Sequence, residues 1–249
     1  MTPQKTPTHF INDWGQYTRH LSVSTTTQIK LPKGFSHHNA DMSLESSLIA
    51  LALAASLFMQ PWRMLRSADG KLELLTPLLA TLVILPWLWA LPALHHSPLQ
   101  LQFSGAPLVT LMLGWPLAVP TLVLVGGITC LISDTSVTSA ISLVMWHGIL
   151  PASFTLLLGA AVRRWLPHHL FVYVLGRGFI GSVLCLFAAS LLAQWMGHEV
   201  PHINSTFSRV ALWLMAWGDA FLTGMFCAIF VAYRPQWLAT WSDGLYLKN

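Results

Sequence analysis

Residues 103–132 read FSGAPLVTLMLGWPLAVPTLVLVGGITCLI, thirty residues without a charge, interrupted only by the Gly114-Trp115-Pro116 step. A transmembrane helix needs about 20 apolar residues, so this stretch reads as one long span or two short ones. Other apolar runs flank it. Leu44 to Met59 closes on Pro61, Arg63 and Arg66, and Leu72 to Leu94 carries Pro77, Pro86 and Pro92. Spans follow at about Ser139–Val162, His169–Gln194 and Phe207–Tyr233. Prolines are tolerated within such spans where neighbouring helices satisfy the freed carbonyls.

The charges around residues 103–132 decide between one crossing and two. Arg63, Arg66 and Lys71 mark one loop, Arg163 and Arg164 a second, and Arg234 and Lys248 the C-terminal tail. The breaks at 95–102, 133–138 and 195–206 hold no Lys or Arg. Positive-inside sorting places the first three regions in the cytoplasm and the last three outside. A chain outside at 95 and outside again at 133 has crossed an even number of times between them. Residues 103–132 therefore go in and return, as two segments near 103–114 and 116–132, short helices or a re-entrant pair enclosed by protein. The reading is an all-α polytopic membrane protein of about seven segments, N-terminus outside and C-terminus cytoplasmic.

Composition points the same way. Only 9% of the 249 residues are charged and 54% are hydrophobic, where a soluble domain carries about 25% charged residues. The formal charge of +4 comes from Lys and Arg lying between apolar runs, which fits anionic lipid rather than nucleic acid. Cys130, Cys185 and Cys227 lie inside apolar stretches with no CxxC pair, and read as small buried hydrophobes. Trp62, Trp87, Trp89, Trp165, Trp195, Trp237 and Trp241 fall near span ends, the pattern of an interfacial aromatic belt. Residues 1–41 have no apolar core of signal-peptide length and read as a poorly ordered tail, with 42–249 as a single transmembrane domain. Lys5, Arg19, Lys30 and Lys33 resist an outer N-terminus. Either the tail crosses despite them or translation starts at Met42.

Few residues can carry chemistry. Asp219 lies in the middle of the last span, where a carboxylate needs a partner. It reads either as a functional group or as half of a packing pair, with Arg177 as the expected partner. His147 is also deep and is either a hydrogen-bonded structural imidazole or a ligand for a borderline divalent ion. Asp134, His95, His96, His198 and His202 fall on the outer side without diagnostic ligand spacing. There is no GxxxxGK[ST] phosphate loop, no HExxH and no GxSxG elbow, and nothing resembles an enzyme.

Leu101-Gln102-Phe103-Ser104-Gly105-Ala106, running into Leu111-Met112-Leu113-Gly114-Trp115-Pro116, resembles the membrane core of the CbiM-type family. These are nickel and cobalt substrate-binding permeases of energy-coupling factor ABC transporters. Three later stretches are similar to a proteobacterial branch of it: Leu166 to Tyr173, Asp219-Ala220-Phe221-Leu222-Thr223-Gly224-Met225, and Tyr233-Arg234-Pro235-Gln236-Trp237. The resemblance implies a substrate-binding subunit in the bacterial inner membrane that handles Ni²⁺ or Co²⁺ as cargo, with no permanently bound cofactor. It also implies a transmembrane coupling protein and cytoplasmic ATPase subunits as partners, and a link to cobalamin biosynthesis. On this reading Asp219, Arg177, Gln102 and Gly105 line the substrate pathway, and His147 and His95 are the candidate metal ligands.

The chain departs from the family's ligand pattern. Metal-binding members begin Met-His, whereas this chain begins Met1-Thr2, and a start at Met42 gives Met42-Ser43. Gln102 stands where the family has a histidine, and Leu143 and Trp146 stand in the asparagine-bearing stretch. A neutral amide does not match imidazole for Ni²⁺ or Co²⁺. Two functions stay open: a transporter subunit, marked by an ATPase partner, and a non-transporting membrane protein of the same fold with an assembly or regulatory role.

Overall fold

The computed structural model describes residues 34–65, 73–94, 103–165, 167, 169–197 and 205–241. The chain divides into two units, residues 1–38 and 39–249. Regular structure among the described residues is helical throughout. Five helices are long and apolar enough to cross a membrane, and Met42–Phe58 is a shorter apolar helix. The protein is a multi-pass, all-helical membrane protein.

The first helix, α1 (Gly34–Phe58), begins inside the stretch expected to be tail, and no proline interrupts the chain between Pro32 and Pro61. It is followed by α2 (Leu75–Leu94), which keeps Pro86 and Pro92 within its length. The stretch 103–132 is two helices, not one: α3 (Ala106–Leu113) and α4 (Trp115–Ser133). They part at Gly114, whose φ of 74° and ψ of 154° end α3, a conformation that costs glycine little. The two are unequal, because α4 has the length of a span while α3 has eight residues. Next come α5 (Val137–Leu143), a π-helical turn Val144–Ile149 and α6 (Leu150–Trp165) as one continuous rod. A second π-helical segment, Val172–Ile180, leads into α7 (Gly181–Trp195). The last helix is α8 (Ser205–Tyr233).

At a rise of about 1.5 Å per residue, α3 is about 12 Å long, far short of a hydrocarbon core of about 30 Å. Both its ends therefore lie within protein, where backbone groups need protein partners. Its surroundings agree: Ala106, Pro107 and all of Val109 to Leu113 are buried. The outer surface is apolar, with Leu79, Val83, Leu131, Leu157 and Phe221 exposed, as a lipid-facing surface requires.

The C-terminal end of α3 is closed by the chain's own last described segment. After α8 a short turn at Pro235–Trp237 brings Ala239 and Thr240 against the helix. Ala239 N–H donates to Met112 O (2.8 Å), and Thr240 Oγ1 donates to Leu111 O (2.9 Å). Thr240 has one hydroxyl proton, so in its 2.7 Å contact with Tyr173 the phenol is the donor. Trp241 packs edge-on against Tyr173, with ring centroids 4.8 Å apart.

Two tryptophans correct the expected aromatic belt. Trp62, Trp87, Trp165 and Trp195 are exposed, but Trp89 and Trp241 are buried. Trp89 Nε1 donates to Ser104 O at 3.0 Å, and this polar handle makes an interior tryptophan acceptable. Cys185 and Cys227 are buried thiols and Cys130 is half-buried, with all three free.

Candidate functional site

The other end of α3 is built around Asp219. α8 holds this residue in the interior, 7% exposed, and its Oδ2 accepts hydrogen bonds from Ser104 N (2.8 Å) and Gly105 N (3.3 Å). The sequence Ser104-Gly105-Ala106-Pro107 explains why the chain folds this way. Pro107 sits in the first turn of α3, where its missing N–H costs nothing. Gly105 takes the left-handed region at φ 64°, and a Cβ there would lie 2.9 Å from both Leu85 Cδ1 and Phe103 Cε1. The turn aims consecutive N–H groups at one point, at the positive end of the helix dipole, where a carboxylate is favoured.

His147 approaches the same place from the π-helical turn Val144–Ile149. Ser104 ties the two together. Its Oγ donates to His147 O at 2.6 Å and accepts from Ala106 N at 3.3 Å. A cavity of about 40 Å³ results, lined by Ser104, Trp146, His147, Ser190, Met215 and Asp219 among others. Two buried polar atoms have no hydrogen-bond partner here among the described residues, His147 Nδ1 and Asp219 Oδ1. Buried polar atoms are nearly always paired, so a spare carboxylate oxygen and a spare imidazole nitrogen on residues lining one cavity make this the candidate site. Oxygen and imidazole donors suit a borderline divalent cation. A volume of about 40 Å³ has room for an ion or for two or three waters. Among the described residues, no group of three or more His, Cys, Asp or Glu is placed to hold a metal.

The expected site residues separate. Asp219 and Gly105 meet directly, and His147 lines the same cavity as Asp219. Gln102 and His95 lie outside the described residues, as do His96, His198 and His202. Asp134 ends α4 in the left-handed region, at φ 48°.

Arg177 corrects the expected ion pair, because the partners of Asp219 are backbone amides. The guanidinium is buried elsewhere, with Cζ 5.7 Å from the Tyr173 ring centroid and so close over α6 that a Cβ at Gly159 would lie 2.5 Å from Nη2. Its Nε and Nη1 have no partner. Arg177 thus belongs with Tyr173, the residue that reaches the C-terminal end of α3. Its place on a neighbouring span made it the visible cation, but position along a helix does not say which neighbour a side chain faces.

One buried carboxylate beside the site escaped the sequence reading. Glu45, near the start of the first apolar run, is buried at 6% exposure and accepts hydrogen bonds from Trp146 Nε1 (2.7 Å) and Ser142 Oγ (3.4 Å). The signal was weaker than that of Asp219, since a carboxylate one residue into an apolar run lies near the end of its span, where the cost of burial is lower.

Comparison with known proteins found no matching family model, no matching curated protein and no matching solved structure.

Proposed function

We propose that this protein is the membrane-embedded substrate-binding subunit of an energy-coupling factor transporter, with Ni²⁺ or Co²⁺ as its cargo at the Asp219–His147 cavity. One observation carries the reading: Asp219 Oδ1 and His147 Nδ1 are both buried without partners, and their residues line one cavity. A carboxylate kept at membrane depth is functional by default. The one here spends a single oxygen on α3 and keeps the other for a ligand. The remaining coordination positions fall to water or to backbone oxygens, so the cargo is held by fewer side chains than a storage site uses. Weak enough holding is what a transported ion requires, since it must also leave.

On this reading the chain crosses the bacterial inner membrane in seven segments, N-terminus outside and C-terminus cytoplasmic. Its cytoplasmic side meets a transmembrane coupling protein and an ATPase. The membrane-spanning character is supported by five span-length helices; the orientation rests on the Lys and Arg pattern.

Titration calorimetry of the detergent-purified protein with Ni²⁺ and Co²⁺ tests the cargo. Binding is expected in the parent chain and lost in His147→Ala and Asp219→Asn. No binding in the parent, but a gain in Gln102→His, would replace the reading with a fold that has lost its metal. Pull-down of an ATPase and a coupling protein from the native membrane tests the assembly. A chain that purifies alone under every mild detergent speaks for the non-transporting alternative.

A further inference from the structure

We propose that Glu45 is a positioning residue for this cavity: through Trp146 it fixes the π-helical turn that presents His147. The inference rests on the cavity reading given above for its purpose, though not for its geometry.

A π-helical turn holds one residue more than an α-helical turn of the same rise, and such turns often occur at functional sites. Here the extra residue falls within Val144–Ile149, the segment that carries both Trp146 and His147. That turn is clamped by two elements distant in the chain. On one side Ser104 Oγ donates to the carbonyl of His147 at 2.6 Å. From α1, Glu45 Oε1 accepts from Trp146 Nε1 at 2.7 Å and from Ser142 Oγ at 3.4 Å. Trp146 and His147 are consecutive, so a rotation of the turn that freed the indole would also swing the imidazole away from Asp219.

The clamp accounts for the cost of Glu45. A buried carboxylate is unfavourable unless it is hydrogen-bonded, and packing alone would be served by an apolar side chain. Over its described side chains, 42–58, α1 faces mostly outward, with Leu44, Leu48, Leu51, Leu57 and Phe58 exposed, so this part of the helix contributes little enclosure of its own. Glu45 instead gives α1 a polar hold on the one turn that shapes the site.

The test reads His147 directly, in the metal-free protein. Histidine imidazoles are labelled with ¹⁵N, and the His147 signal is assigned by its loss in His147→Ala. Glu45→Ala is expected to move or broaden that signal while leaving the other histidine signals in place. Glu45→Gln, whose amide oxygen still accepts from Trp146, is expected to restore it. Where Glu45→Ala does not fold, Glu45→Met fills the same volume without an acceptor and takes its place. A His147 signal unchanged in both acceptor-less variants overturns the proposal. So does a change spread over all histidines, which marks a general structural role. Co²⁺ titration of the same variants forms a second arm. Affinity is expected to fall about tenfold in Glu45→Met, the scale of one lost hydrogen bond to a charged group, and to hold in Glu45→Gln. A His147 signal that depends on Glu45 in a protein that binds neither Co²⁺ nor Ni²⁺ leaves the positioning intact and removes the cargo reading alone.

Discussion

The two ends of α3 face the same physical problem and solve it differently. An eight-residue helix at membrane depth leaves N–H groups bare at one end and carbonyls at the other, and lipid satisfies neither. At the C-terminal end, Ala239, Thr240 and Tyr173 form a closed set in which each donor has an acceptor. At the N-terminal end, one carboxylate oxygen meets Ser104 and Gly105, while its twin and His147 Nδ1 are left over beside a cavity. On the proposed function the first end is structure and the second is a site, and a helix too short to span uses only the positive end of its dipole.

The sharpest way to break that comparison is to remove the carboxylate. Asp219→Leu strips two buried N–H groups of their acceptor, a loss of about 2–6 kcal/mol from unpaired donors. Thermal unfolding of the detergent-solubilised protein is expected to show a large fall in Tm, or no folded protein at all. Asp219→Asn keeps one acceptor oxygen for Ser104 and Gly105, so folding is largely retained while the spare anionic oxygen is gone. A protein that tolerates Leu as well as Asn has no need of the carboxylate at α3.

Gly105→Ala tests the turn that aims those amides. A left-handed alanine and the overlap with Leu85 and Phe103 together cost about 2–4 kcal/mol. Stability and metal binding are expected to fall together, because the Asp219 contact and the cavity share this turn. A variant that loses neither places the turn outside the site.

How much of this was legible differs between the two ends. Asp219 stood out because a carboxylate in an apolar span is rare and costly, and the break at Gly114 was implied by the parity of crossings that the arginines impose. The partner of Asp219 was not legible. Ser104 lies 115 positions away and contributes its backbone N–H, a group every residue but proline owns, so no side chain advertises the contact. Arg177 was the visible cation and drew the pairing to itself. A subtler signal was the Ser104-Gly105-Ala106-Pro107 stretch, a helix start in the middle of an apolar run. At the other end nothing in Leu238 to Trp241 marks it as a strap over α3, since Thr240 acts through one hydroxyl and Ala239 through its backbone.

Thr240→Val sharpens the contrast from the closed end. Valine keeps the shape but removes the donor to Leu111 O and the acceptor for Tyr173 O–H, a cost of about 1–3 kcal/mol. Stability is expected to drop while Ni²⁺ and Co²⁺ affinity stays at the parent value. An affinity that falls with Thr240→Val would mean the two ends are coupled through α3, and the division between structure and site would fail.

Arg177→Met is expected to have the smallest effect, and its sign is the informative part. Arg177 is buried beside the closed end with Nε and Nη1 unpartnered among the described residues, and its guanidinium lies 5.7 Å from the Tyr173 ring centroid. A cation over an aromatic face gains about 0.5–2 kcal/mol, which does not offset the burial of unsatisfied N–H groups. Methionine fills a similar volume, fits against Gly159 and leaves no donor unpaired. Replacing buried charge with well-packed apolar groups is often neutral or stabilising by about 1–4 kcal/mol, and the lost ring contact reduces that gain. Unfolding in detergent is therefore expected to show Arg177→Met at or slightly above the parent Tm, by about 1 kcal/mol at most, with cargo affinity unchanged. A clear loss of stability would show that the guanidinium has a partner within the fold. Unchanged stability with loss of the ATPase and coupling protein from the native-membrane pull-down would place that partner in the assembly, and would give the closed end of α3 a function of its own.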